Sequence, residues 1–187
     1  TQASRFLLRM AEIQAQTLKA SIPTSEFKVE ELTPVQDLKT SKLIRENDDR
    51  LSFTHDLFGD WATYKLIRGQ QDNLKTFLTA KDLLSPLWCK GIRLFGVSVL
   101  SKDNTGKTWT DVFDSFDEHT PIEKIVQDQL LESIIFFSQP ETAINSLWTK
   151  LVANEGALLS RFLKIFLHRA TSPNSAIIKY AVENNFA

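Results

Sequence analysis

Apolar residues in this chain recur mostly at three- and four-residue spacing, and only briefly at every second position. Over residues 5–20, Phe6, Leu7, Met10 and Ile13 share one helix face, and Pro23 ends the segment. Ser25 through Leu32 suits a short second helix. Thr33-Pro34-Val35-Gln36 reads as a capping box, with Thr33 at the cap and Pro34 at the first helical position. The helix it opens carries Val35 and Leu38 and ends near Ser41. The period then shortens to two. Leu43-Ile44-Arg45, a turn at Asn47-Asp48-Asp49, and Leu51-Ser52-Phe53-Thr54 predict a β-hairpin. At His55-Asp56 the strand pattern breaks. Leu57, Phe58, Trp61, Ala62 and Leu66 then follow helical spacing to about Gly69.

Beyond the polar loop Gln70-Gln71-Asp72-Asn73, the pattern predicts helices only. Ser85-Pro86 opens one with Leu87, Trp88, Leu94 and Phe95. Gly91 and Gly96 weaken it by ~1 kcal/mol each against Ala, which calls for close helix packing as compensation. A turn at Asp103-Asn104-Thr105-Gly106 precedes a short helix with Trp109, Val112, Phe113 and Phe116. Thr120-Pro121-Ile122-Glu123 is a second capping box, opening a helix to about Phe137. Ser138-Gln139-Pro140-Glu141 opens another, ending near Asn154-Glu155-Gly156. Leu158, Leu159, Phe162, Leu163, Phe166 and Leu167 line the next, and Ser172-Pro173-Asn174 separates it from a last helix through Tyr180.

The expected fold is mainly α. Three helices followed by a hairpin is the order of a winged-helix domain, here 1–69 with its linker helix. Residues 70–187 form an irregular HEAT- or armadillo-like helical array of antiparallel pairs. The chain starts at Thr1 within a helical pattern and ends without a polar cap. It is therefore expected to be a piece of a longer protein, with the array continuing beyond its end.

Composition narrows the function classes. The 187 residues are 42% hydrophobic and 24% charged, an ordinary globular balance. A net charge of −1 supplies no global field toward nucleic acid or an anionic membrane. The single Cys89 leaves no internal disulfide and no thiolate metal cluster, and a reducing cytoplasm is the expected location. No apolar run approaches the ~20 residues a membrane span needs.

The candidate chemistry is sparse, with no catalytic residue and no metal site to propose. His119 lies in the acidic run Asp117-Glu118-His119 and reads as solvated. Arg161, Lys164 and His168 form a basic stripe, most simply a solvated helix face. Asp56 is expected to cap the helix after the hairpin, with Asp60 as nearby charge. Asn104-Thr105-Gly106-Lys107-Thr108 contains Gly-Lys-Thr but lacks the earlier glycine of a phosphate loop. His55 stands at a strand-to-helix corner. By chemistry alone it reads as a corner residue bonding a backbone carbonyl, since a lone histidine is seldom a site.

The run Leu51-Ser52-Phe53-Thr54-His55-Asp56-Leu57-Phe58-Gly59-Asp60-Trp61-Ala62 shifts that balance. It resembles the His-Asp motif that ends the winged helix of the STAND or NB-ARC signal-transduction ATPases. In their plant members the motif reads Met-His-Asp, and here Thr54 takes the first place. Upstream, Arg5-Phe6-Leu7-Leu8-Arg9-Met10-Ala11-Glu12 and Asp37-Leu38-Lys39-Thr40-Ser41-Lys42-Leu43-Ile44-Arg45 resemble prokaryotic members. The resemblance covers residues 1 to about 69, and more loosely the array that follows.

It implies that His55 senses nucleotide by touching the β-phosphate of ADP, with Asp56 as the supporting cap. The ATPase core, with its ATP or ADP and Mg, would lie upstream in the same chain. The fragment alone would bind no cofactor and would not be an enzyme. The array would couple a protein target or trigger to activation, the parent would oligomerise, and antiviral defence is a common role in bacterial members. The alternative is a winged-helix DNA-binding regulator with a helical ligand or dimerisation domain. Lys39 is the only base of its would-be recognition helix, with Glu30, Glu31 and Asp37 around it, which disfavours phosphate contacts.

Overall fold

The computed structural model describes residues 1–81, 84–116 and 119–170. Helix α1 (Gln2–Thr17) is capped by Thr1, whose Oγ1 accepts the Ser4 N–H at 3.2 Å, and it buries Phe6, Met10 and Ile13. The helix expected over 25–32 is absent. Two 3₁₀ turns, Thr24–Glu26 and Val29–Leu32, stand there instead, in a segment bracketed by Pro23 and Pro34. So short a segment recovers few hydrogen bonds for the cost of nucleating an α-helix. The first capping box also fails. The Thr33 hydroxyl donates back to Glu30 O at 2.8 Å, and α2 (Val35–Thr40) begins after Pro34 with no side-chain cap.

The hairpin forms as expected from β2 (Ile44–Asn47) and β3 (Arg50–Phe53). Asp48 and Asp49 both take positive φ, the tight turn that matches strand twist. A third strand, β1 (Ile22–Pro23), pairs with the other edge of β3, placing Ile22 opposite Leu51 in a sheet of order β1-β3-β2. Two residues are too few to show a period, which is why alternation missed it. Ile22, Ile44, Leu51 and Phe53 face a buried cluster with α1 and α2.

Helix α3 (Asp56–Arg68) leaves the sheet and leads, through a 3₁₀ turn at Gln71–Asn73, to α4 (Leu74–Thr79). The remaining helices are α5 (Pro86–Leu100), α6 (Lys107–Asp114), α7 (Pro121–Phe136) and α8 (Pro140–Ala170). The architecture is thus mainly helical, with one small three-stranded antiparallel sheet. The second capping box is present: Thr120 Oγ1 accepts the Glu123 N–H at 3.2 Å, and Glu123 Oε2 accepts the Thr120 N–H at 3.1 Å. Helix α8 breaks at Ala153, Asn154, Glu155 and Gly156, where the sequence divides two helices. Arg161 Nε meets Asp128 at 2.6 Å and Arg169 Nε meets Glu132 at 3.1 Å, so the second half of α8 runs parallel to α7. The last helix expected, through Tyr180, lies outside the described residues.

Both glycines of α5 mark close packing. A Cβ on Gly91 would stand 2.7 Å from Thr63 Cγ2, and one on Gly96 would stand 2.5 Å from Ser133 Oγ. α5 therefore lies against α3 on one side and α7 on the other. A larger buried cluster, including Ile67, Trp88, Phe95, Trp109 and Leu130, fills the helical part. Lys81 ties the two clusters. Its Nζ lies 4.3 Å from the Phe77 ring centre and 4.9 Å from that of Trp88, and 3.6 Å from Glu12 Oε1 on α1. No helix among the described residues is long and apolar enough to cross a membrane.

Candidate functional site

The His55 corner is built by the end of β3. The Thr54 N–H donates to Leu43 O at 3.1 Å, and the Thr54 hydroxyl donates to Lys42 O, which pins the strand end against β2. Phe53 lies beneath Gly59, where a Cβ would stand 3.3 Å from Phe53 Cδ2, so α3 approaches the sheet closely. His55 itself is extended (φ −140, ψ 139), and α3 begins at the next residue.

The cap of α3 is His55. Its Nδ1 accepts the Leu57 N–H at 3.2 Å. The expectation that Asp56 caps this helix is therefore corrected: Asp56 is the first helical residue, and the Leu57 N–H is taken by the residue before it. It still places a negative charge in the first turn. Nor does the His55 ring bond a carbonyl among the described residues, as its chemistry alone would favour. Aspartate is much the commoner cap, which is why the sequence points to the wrong member of the pair.

The face beside this corner is apolar and exposed. Leu57, Phe58 and Trp61, which the sequence places on a helix by their spacing, are 66%, 37% and 50% exposed. The buried positions of α3 are Gly59, Ala62, Thr63 and Ile67. Three large apolar side chains and an exposed imidazole thus share the first two turns of one helix. Phe58 stands edge-on to His55 at 6.4 Å, and Lys65 Nζ sits 5.2 Å from the Trp61 ring centre.

A cleft of about 350 Å³ opens on the other flank of α3, lined by Gln14, Arg45, Ser52, Asp56, Asp60 and Lys90 among others. The His55 ring is not part of its wall. Asp60 Oδ2 lies 3.5 Å from Lys90 Nζ, while Oδ1 is buried with no hydrogen-bond partner among the described residues. Asp56 and Asp60 therefore share the wall of one cleft, and the cap of α3 is His55.

The basic stripe dissolves. Arg161 turns inward to Asp128, to Gln127 Oε1 at 3.0 Å and to Lys124 O at 2.9 Å, while Lys164 and His168 are exposed. His119 is exposed, and its neighbours Asp117 and Glu118 lie outside the described residues. Burial pushes the half-buried Cys89 thiol up, away from the thiolate form a nucleophile needs. No group of three or more potential metal ligands is assembled among the described residues.

Gly106-Lys107-Thr108 does start a helix, but Asp103 already sits on its end. The two Asp103 oxygens accept the N–H and hydroxyl of Thr105 (2.9 and 2.5 Å) and of Thr108 (2.8 and 2.7 Å). These donors, the Thr105 hydroxyl foremost, hold the Asp103 carboxyl well below the usual carboxylate range. The Lys75 ammonium, 3.1 Å away, also lowers the Glu123 carboxyl. A carboxylate depressed on folding stabilises the fold fully above its unfolded value and loses that contribution as pH falls. Thermal stability should therefore drop on acidification from about pH 7 to about pH 3, and Asp103→Asn should shrink the drop. Parallel losses in both proteins would show that Asp103 is not a source of the acid sensitivity.

The chain matches no protein-family model and no curated protein.

Proposed function

We propose that this chain is the regulatory part of a STAND-type ATPase. In this reading residues 1–69 form the winged helix that closes over ADP in the resting state, and residues 70–187 form a HEAT-like arm that relays target binding. The observation that carries it is the exposed His55 beside the exposed Leu57, Phe58 and Trp61, on a helix closely packed against the sheet at Gly59. An imidazole donor can hold a phosphate oxygen, and the apolar trio can bury against an ATPase core. The chain itself acts as a sensor and relay in the cytoplasm. It neither holds ATP nor hydrolyses it, and nucleotide with Mg belongs to the core. The DNA-binding alternative gains nothing from α2, where Lys39 is taken up by Glu46 at 2.7 Å.

Reversing such a switch from 1:99 to 99:1 takes ~5.5 kcal/mol of differential binding. One hydrogen bond to a charged group supplies roughly 1.5–3 kcal/mol of it. The apolar trio is the natural source of the remainder. In the intact protein, His55→Ala should weaken the resting state by about ten- to a hundredfold and raise output without a trigger. Equal basal output from two folded proteins would defeat the proposal.

A further inference from the structure

We infer that His55 presents its Nε2–H, and no other proton, at the corner, because Nδ1 is committed to capping α3. The Leu57 N–H lies 3.2 Å from Nδ1, and a nitrogen that accepts carries no proton. The neutral ring then keeps its single proton on Nε2. Nδ1 holds the ring from the helix side, and Phe58 stands edge-on at 6.4 Å. The Phe58 N–H is used by His55 O at 3.0 Å and the Leu57 N–H by Nδ1, so neither competes with the imidazole for an outside acceptor.

The chemistry of the ligand follows. An anionic oxygen is accepted at Nε2, whereas a donor group is refused. Because the ring is hinged on the first turn of α3, the direction of the donor is tied to Leu57 and Phe58. A phosphate at Nε2 and an apolar partner on that face therefore report on one another. The identity of the acceptor as phosphate rests on the proposed function; the locked tautomer does not.

A long-range proton–nitrogen NMR spectrum of the chain with labelled histidine tests the tautomer directly. His55 is assigned by difference from His119→Ala and His168→Ala. A single Nε2–H pattern is expected, and tautomer averaging at His55 would overturn the inference. His55→Ala should lower the thermal midpoint by about 2–4 °C. His55→Ser, whose hydroxyl can accept the same N–H, should restore most of that loss. Serine no better than alanine would show that the imidazole does not cap. In the intact protein both variants lack the Nε2 donor, so both should signal without a trigger. A locked ring with two silent variants would sink the switch and leave the cap. An averaging ring with two active variants would do the reverse.

Discussion

Trp61→Ala is expected to leave the fold of this chain intact and to release the resting state of the intact protein by roughly 2–4 kcal/mol, the scale of a central aromatic anchor in an interface. The residue is 50% exposed and packs into neither buried cluster. Lys65 lies over its ring, an exposed cation–π pair of about 0.5–1 kcal/mol. Basal signalling should therefore rise by a larger factor than for His55→Ala, with unfolding of the chain shifted by less than about 1 kcal/mol. Trp148 on α8 is equally exposed, at 50%, and serves as the control. Trp148→Ala should leave basal output unchanged, because in the proposed mechanism the arm acts only when the target binds. Equal activation by both substitutions would mean that loss of any exposed aromatic suffices, and the docking face would lose its support.

Glu132→Ala should destabilise the chain by about 3 kcal/mol, at the lower end of the range for breaking a buried ion pair. The Glu132 side chain is only 2% exposed, and it joins three helices: its Oε1 meets Arg93 Nη1 of α5 at 2.5 Å and Arg169 Nε of α8 at 3.1 Å. Arg93 also lies over the Phe136 ring, 4.5 Å from its centre, and would remain half-enclosed without its carboxylate. Arg169 is 53% exposed and loses little. Urea unfolding of the two proteins measures the difference. A loss under about 1 kcal/mol would mean that water reaches Arg93 and replaces the carboxylate.

The helical part was legible because its signals are local. Ser85 before Pro86, Thr120 with Glu123, and the polar break at Asn154-Glu155-Gly156 each act through neighbouring backbone groups, so residue type and spacing located them, whereas the like signal at Thr33 formed no cap because its hydroxyl turns back to Glu30 O. The hairpin was legible for the same reason, since Asp48 and Asp49 adopt the left-handed turn in either context. Close packing at Gly91 and Gly96 could also be inferred, because a glycine in a helix interior is costly unless something needs the space.

Other features depended on partners distant in sequence. β1 exists because Leu51 lies opposite Ile22, a pairing across twenty-nine positions that two residues cannot announce. Lys81 joins the two clusters through Glu12, Phe77 and Trp88, and nothing near it in sequence marks it. The helical period correctly placed Leu57, Phe58 and Trp61 on a helix, but period alone does not say which face meets the core. That was decided by Phe53 and Gly59, whose contact turns α3 so that Ala62, Thr63 and Ile67 go inward and the larger side chains outward. The sequence by itself determined the hairpin, most of the helices and the strand-to-helix corner at His55, because their signals are local. Tertiary packing alone decided that the corner is flanked by exposed apolar surface, because burial is a property of the assembled layers.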